Sequence, residues 1–387
     1  MRTPFFTVIV EVLFFLSCSR TAVQEQEIFH IDLNKNYPEF PLSLSDIADI
    51  RFIKLGGEEQ GVLLKNLSYP IHLDDINHKI IAGPLYGTVM IFEEDGSFIR
   101  NIGHYGRGPG EYMLRQFYVN PDEKIIGMIS DLERKVMHFD YNGILIPNSE
   151  KTVGLRFDSH GVRLLNGALF VFNPASQIRY EYAAGHKEEE LANKPLHKIA
   201  PDTFEEDASF DGIRYANPLV VPLSWETNPE YRWVRGGLAE GVSGLMAHSF
   251  RSDTTYLIDH DFHVRPFLVN TSHNSGEQFV FPTVETKRHI FCCAKKYGET
   301  FYYAIDKSSK EVYKITAVPD DPLPVFLQMK PQFTNYDTSL CPDRRIVSFS
   351  MSSLKKHDQS LSADLKSIVD RYDEDANPIL MVIEFKE

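Results

Sequence analysis

Tryptophan and cysteine are scarce in this chain: its 387 residues include two Trp and four Cys. Cys292 and Cys293 are neighbours, Cys341 stands apart, and Cys18 falls near the start. Adjacent cysteines bridge each other poorly, so no disulfide framework is implied. No C-x-x-C pair occurs, which argues against a cysteine-based zinc site. Positive charge is also short, with 40 Lys+Arg against 54 Asp+Glu and a formal net charge of −14. That balance opposes nucleic acid or anionic lipid held by a broad basic face, and no nucleic-acid partner is expected. The chain has no G-x-S-x-G elbow, no H-E-x-x-H and no Gly-Lys-Ser/Thr after a glycine run. It therefore names no catalytic residue and no metal ligand.

What is present points to export. Arg2 precedes an apolar run from Pro4 to Leu16, followed by Ser17-Cys18-Ser19. A charged start, a short apolar segment and a small residue before a cut site describe an export signal. The run is too short for a comfortable bilayer span. The stretch FLSC resembles a bacterial lipobox, whose cysteine becomes the lipidated first residue. Phe15 stands where Leu is usual, and Glu11 interrupts the run. The expectation is a signal peptide at 1–17, lipidation at Cys18, a tether over 18–27 and one domain over 28–387. The lipid would be the membrane contact, and the outer membrane the address.

Beyond residue 28 the text reads as strands and turns. Hydrophobic content is 43%, and 27 Phe with 18 Tyr supply aromatic strand positions. Val89-Met90-Ile91-Phe92 leads to Asp95-Gly96, and Val136-Met137-His138-Phe139 leads to Asn142-Gly143, 47 residues on. Asp-Gly and Asn-Gly between β-rich runs signal hairpins, because the central positions must accept positive φ. Asp259 and Asp306 repeat the interval of 47. A four-stranded unit recurring every forty to fifty residues is the signature of a β-propeller. Leu169-Phe170-Val171-Phe172 reads as a strand, whereas 186–212 reads as a polar excursion of the kind that carries binding.

One helix is predicted, from Leu361, Leu365, Ile368, Val369 and Tyr372 at helical spacing. Asn377-Pro378 ends it, and the apolar strand Ile379–Phe385 follows. Pairing of that strand with Ile50–Leu55 would join the two ends of the chain and remove exposed edges. The predicted fold is all-β, a six-bladed propeller of four-stranded antiparallel blades with one short helix before the closing strand.

GRGPGEY at 106–112, DTTYLIDHDFHVRPFLVNTS at 253–272 and the ending NPILMVIEFK resemble the six-bladed β-propeller lipoproteins of Bacteroidota-type bacteria. That family is broadly similar to NHL-repeat propellers. The resemblance implies a six-bladed ring and an exported, lipid-anchored product, with no catalytic residues to carry over.

GHYGRGPGEY at 103–112 raises the question of a phosphate loop. Pro109 removes an amide donor and another strand follows instead of a helix, so a crossing between blades is expected. Arg107 and Glu111 form a candidate ion pair there, with Arg107 also a candidate ligand contact. Asp259, His260, Asp261 and His263 look metal-like, as do His72, Asp74, Asp75 and His78, but both sets read as polar turns. Trp225 and Trp233 flank ETNPEYR and offer a candidate sugar-stacking platform. No cofactor is expected, a channel calcium or zinc being the exception left open. These features favour a monomeric, non-catalytic binding or scaffold protein for a glycan, peptide or envelope protein. The alternative is a propeller lyase or hydrolase with a metal or acid/base site in the channel.

Overall fold

A computed structural model describes residues 27–64, 67, 71–84, 87–113, 116–130, 135–152, 162–172, 196–200, 206–210, 237–248, 252–273, 278–297, 299–317, 344–356 and 361–386. Cys18, Cys341, Trp225 and Trp233 lie outside these residues. The described chain is mostly β, built from successive antiparallel meanders.

The first sheet comprises His72–Asp74, Lys79–Ala82, Val89–Glu93 and Phe98–Ile102. The second comprises Gln116–Asn120, Ile125–Ser130, Lys135–Asp140 and Lys151–Thr152. Val162–Leu165, Ala168–Phe172, Leu196–Ile199 and Glu206–Phe210 form the third. The fourth runs through Gly237–Gly241, Gly244–His248, Thr254–Ile258 and Val264–Asn270. Gln278–Glu285, His289–Lys296, Glu299–Asp306 and Val312–Ala317 make the fifth, joined to the fourth by one parallel pair, Gly241↔Glu285. The N-terminal segment adds an outer parallel strand to each of these two: Phe29–Ile31 along Leu268–Asn270, and Glu39–Leu42 along Lys314–Ala317.

The sixth sheet unites the two ends of the described chain. Ile379–Phe385 lies between Arg344–Phe349 and Ala48–Lys54, antiparallel to both, with Ile379 opposite Lys54 and Phe385 opposite Ala48. The expected pairing of early and late strands is present. Ile379 through Ile383 are at most 1% exposed. Burial of such side chains stabilises by about 1.5–3 kcal/mol each, so this strand is a large fraction of a normal fold's margin.

Sheets pack face to face through alternating side chains, because successive residues of a strand point to opposite faces. Phe117 packs with Ile81 and Ile91 of the first sheet, whereas its neighbour Tyr118 packs with Leu169 and Val171 of the third. Phe170 and Leu196 of the third sheet meet Leu245 and Ile258 of the fourth. Met246 and Leu257 meet Ile290 and Cys292 of the fifth. Phe291 and Ala304 meet Met381 and Ile383 of the sixth. Leu380 and Val382 then meet Ile80 and Phe92 of the first. Both faces are covered, which is why the strands read as near-continuous apolar runs.

The hairpin turns follow the glycine logic. Gly96 sits at φ 90° and donates to Glu93 O at 3.0 Å, and Gly143 sits at φ 76° and donates to Asp140 O at 2.9 Å. Asp140 Oδ1 accepts the amides of Asn142 and Ile144 at 2.9 and 2.8 Å. Asp259 Oδ1 likewise accepts those of Asp261 and His263 at 3.0 and 2.8 Å.

Two expectations need correction. LHKI and EDASF, read within a polar excursion, are the third and fourth strands of the third sheet. Buried Leu196 and Ile199 anchor LHKI, although only two of its residues are apolar. The helix is also not alone. Ala363–Val369 is helical as expected, with Ser362 Oγ accepting from Leu365 N at 3.4 Å. Met351–Lys356 forms another, whose buried Met351 and Leu354 pack on Leu365 and Val369, and Leu44–Ile47 makes a single turn. Six residues hold too few apolar positions to show a period.

Cys292 and Cys293 are free and buried. Burial raises both thiols, that of Cys293 to about 12, so they behave as small apolar side chains. Among the described residues no helix is long and apolar enough to cross a membrane.

Candidate functional site

In a four-stranded meander the first and third turns lie at one end. At that end the first turns of four consecutive sheets converge on a cavity of about 590 Å³. Asp74, Asp75 and Ile76 come from the first sheet, and Asn120 to Glu123 from the second. Leu164 to Gly167 come from the third, and Glu240, Gly241, Gly244 and Leu245 from the fourth. His260, in the third turn of the fourth sheet, completes the wall.

Side chains stitch the turns together. Asn77 Nδ2 donates to Pro121 O at 2.9 Å, linking the first and second sheets. Asn166 Nδ2 donates to His260 O at 2.8 Å, linking the third and fourth. Such cross-links hold a concave site in a fixed shape.

The wall carries carboxylates, and the cations stand behind it. Asp74 is 1% exposed and accepts from Asn77 Nδ2 at 2.8 Å and from the Tyr141 hydroxyl. Burial, followed by that hydrogen bond to Asp74, pushes the Tyr141 phenol up. Asp75 pairs with Arg344, whose Nε lies 3.2 Å from Glu384. Glu240 Oε1 lies 3.4 Å from buried Arg163 Nε, and Glu240 O accepts from Arg345. Asp122 and Glu123 are exposed. Ile76, Leu164, Leu165 and Leu245 add apolar surface to this polar ring.

Glycine-rich 103–112 is a crossing between the first and second sheets. His104–Tyr105 runs parallel to Glu111–Tyr112, and Gly106 N donates to Tyr112 O at 3.0 Å. Tyr112 is fully buried, donating to Ile102 O at 2.6 Å and accepting from Val89 N at 2.9 Å. The expected Arg107–Glu111 pair does not form. Glu111 Oε2 accepts the Gly108 amide at 2.7 Å, while Arg107 Nε donates to Met113 Sδ at 3.0 Å. A local backbone donor competes better for this carboxylate than a solvated guanidinium. Neither residue lines the cavity.

The metal-like sets divide. Asp259, Asp261 and His263 present ligand atoms within 4.8 Å of one another, but Asp261 and His263 are exposed and Asp259 Oδ1 serves the turn's amides. His72, Asp74, Asp75 and His78 are dispersed. His72 packs on Phe117 with ring centroids 5.1 Å apart, whereas exposed His78 reaches Glu94 at 3.0 Å.

Sequence reasoning missed the buried polar residues of the first strands. His72, Gln116, Arg163, Gln278 and Glu285 are each 4% exposed or less. Glu285 accepts from Lys307 Nζ at 2.6 Å and from the Ser243 amide and hydroxyl at 2.9 and 2.6 Å. A signal existed: His72, Gln116 and Arg163 recur at intervals of 44 and 47 residues.

Comparison with known proteins places the chain in a family. Residues 28–384 match the model described as Domain of unknown function (DUF4934), and the chain belongs to that family. A solved Bacteroides fragilis structure, designated an exported protein, is similar with a TM-score of 0.62 and 17% identity, over 93% of this chain and 100% of that one. A Bacteroides vulgatus member of the duf4221 family gives 0.50 and 11%, over 88% of this chain and 97% of that one. At such identities the likeness concerns the fold alone, which is propeller-like. Virginiamycin B lyase from Staphylococcus aureus gives 0.39 at 12% identity over 70% of this chain and 75% of that one, too low to carry an argument. No curated protein matches the chain.

Proposed function

We propose that the protein is an exported, lipid-anchored, six-bladed β-propeller that binds a polar ligand at the cavity end without transforming it. The ring reading is supported by the packing order, in which each sheet meets the next and the sixth meets the first. Cys18 in its lipobox-like context supports the anchor.

The carboxylate-lined cavity carries the functional reading. Carboxylates and asparagine accept hydrogen bonds, so the site suits a ligand rich in donors, the class to which glycans belong. Three wall acids already have structural partners: Asp74 has Asn77 and Tyr141, Asp75 has Arg344, and Glu240 has Arg163. Asp122 and Glu123 sit on one exposed turn, where they serve recognition better than proton transfer in a dry site. Since one fold hosts many chemistries, the site and not the ring decides.

Incubation of the purified protein with oligosaccharides, followed by mass analysis of the products, tests this reading. Recovery of intact, bound oligosaccharide is expected. Turnover, or one tightly held equivalent of calcium or zinc in the purified protein, would shift the assignment to a propeller lyase or hydrolase.

A further inference from the structure

The end that carries the cavity is also the end where the N-terminal segment joins the fold. Glu27 O accepts from Arg265 Nη1 at 3.4 Å, and the Glu27 carboxylate lies 3.5 Å from Lys310 Nζ. Arg265 directly follows the turn that contributes His260 to the cavity. Lys310 belongs to the equivalent turn of the fifth sheet, where its amide donates to Asp306 O at 2.8 Å. From Glu27 the chain runs away from that end, with Phe29–Ile31 parallel to Leu268–Asn270. At the far end Lys296 Nζ donates to Leu33 O at 2.7 Å.

We propose that the protein is held with its cavity end toward the membrane, so that the cavity meets a membrane-borne, donor-rich ligand. This rests on Cys18 being the anchored residue. Nine residue steps separate Cys18 from Glu27. A tether of nine steps spans at most about 30 Å. Strand Gln278–Glu285, at eight residues, spans about 26 Å from one end of the fold to the other. Seating the far end on the membrane would stretch the tether along that whole depth, near its limit of about 30 Å. Placing the cavity end there requires no stretch. The exposed carboxylates of Asp122 and Glu123 oppose flush contact with anionic headgroups over a Debye length of about 8 Å, which preserves a gap for a ligand.

The test uses the full lipidated chain in vesicles containing lipids with nitroxide-labelled headgroups. A fluorophore is attached at the cavity end through His260→Cys, or at the far end through Lys35→Cys, both in a Cys341→Ser background. His260 and Lys35 are both exposed, and buried Cys292 and Cys293 resist labelling. Asp122→Cys provides a second cavity-end position should His260→Cys fold poorly. Several-fold stronger quenching at the cavity end is expected. Equal quenching, or stronger quenching at Lys35→Cys, in protein that floats with the vesicles overturns the orientation alone. Protein that fails to float overturns the anchor and the orientation together.

Discussion

Arg344 donates from its guanidinium to the Asp75 carboxylate, although 269 residues separate them in sequence. Arg344 opens the edge strand Arg344–Phe349 of the sixth sheet, and Asp75 lines the cavity from the first. The seam where the two ends of the chain meet therefore backs one wall of the site. Integrity of the sixth sheet and shape of the cavity should fail together.

Deleting Ile379 to Glu387 removes the central strand of that sheet and exposes its partners on both sides. The truncated protein should aggregate or lose its cooperative melt. A milder probe is Leu380→Ala, which empties a fully buried position and should cost about 2–5 kcal/mol in denaturant unfolding.

The glycines of the 103–112 crossing should differ in their demands. Gly103 has φ 59°, and an added Cβ would lie 2.7 Å from the Phe139 ring and 2.9 Å from that of Tyr112. Gly103→Ala combines strain with overpacking and should cost about 2–4 kcal/mol. Gly110 has φ 74°, but an added Cβ would meet only Leu145 Cδ2, at an ordinary 3.7 Å, so Gly110→Ala should cost only about 1–2 kcal/mol. Arg107→Ala should lie within about 0.5 kcal/mol of neutral. Urea melts of the three variants rank them.

Acid should find one weak point at His248. It is 4% exposed and packs against Phe281 in a tilted pair with ring centroids 5.1 Å apart, and burial lowers its pKa to about 4. The unfolded chain takes up this proton near pH 6.5, whereas the folded chain resists until about pH 4. Its stabilising contribution is thus full above pH 6.5 and falls across that window, by on the order of 3 kcal/mol. His248→Gln should flatten the dependence of melting temperature on pH between 6.5 and 4. An unchanged slope would remove His248 from the account.

The address has its own test. If Cys18 carries the lipid, Cys18→Ala should move the protein from the membrane to the soluble fraction, because the acyl chains would then be the anchor. Unchanged partitioning after high-salt washing would end the lipoprotein reading.

Local chemistry made much of the fold legible. Gly96 and Gly143 mark turns because positive φ favours glycine there, and the unbroken apolar run Ile379 to Ile383 announces a strand buried on both faces. The site was not legible for the opposite reason. Asp75, Asp122, Leu165 and Glu240 are ordinary turn or strand residues, tens of positions apart, and only the packing of successive sheets brings them together. No motif spans such intervals. The strands Leu196–Ile199 and Glu206–Phe210 hid in polar text, since few of their side chains are apolar. Arg107 and Glu111 stood out because glycines surround them, yet those glycines serve a crossing.

The cavity as a binding site is tested most directly by calorimetric titration. The parent and an Asp122→Asn, Glu123→Gln double variant would each be titrated with neutral and amino-sugar oligosaccharides and with an oligolysine peptide. Saturable oligosaccharide binding is predicted for the parent, weakened about tenfold or more in the double variant at an unchanged melting temperature, a loss of about 1.4 kcal/mol. Oligosaccharide binding that survives the double substitution undiminished, or preference for the peptide over every oligosaccharide, would contradict the account.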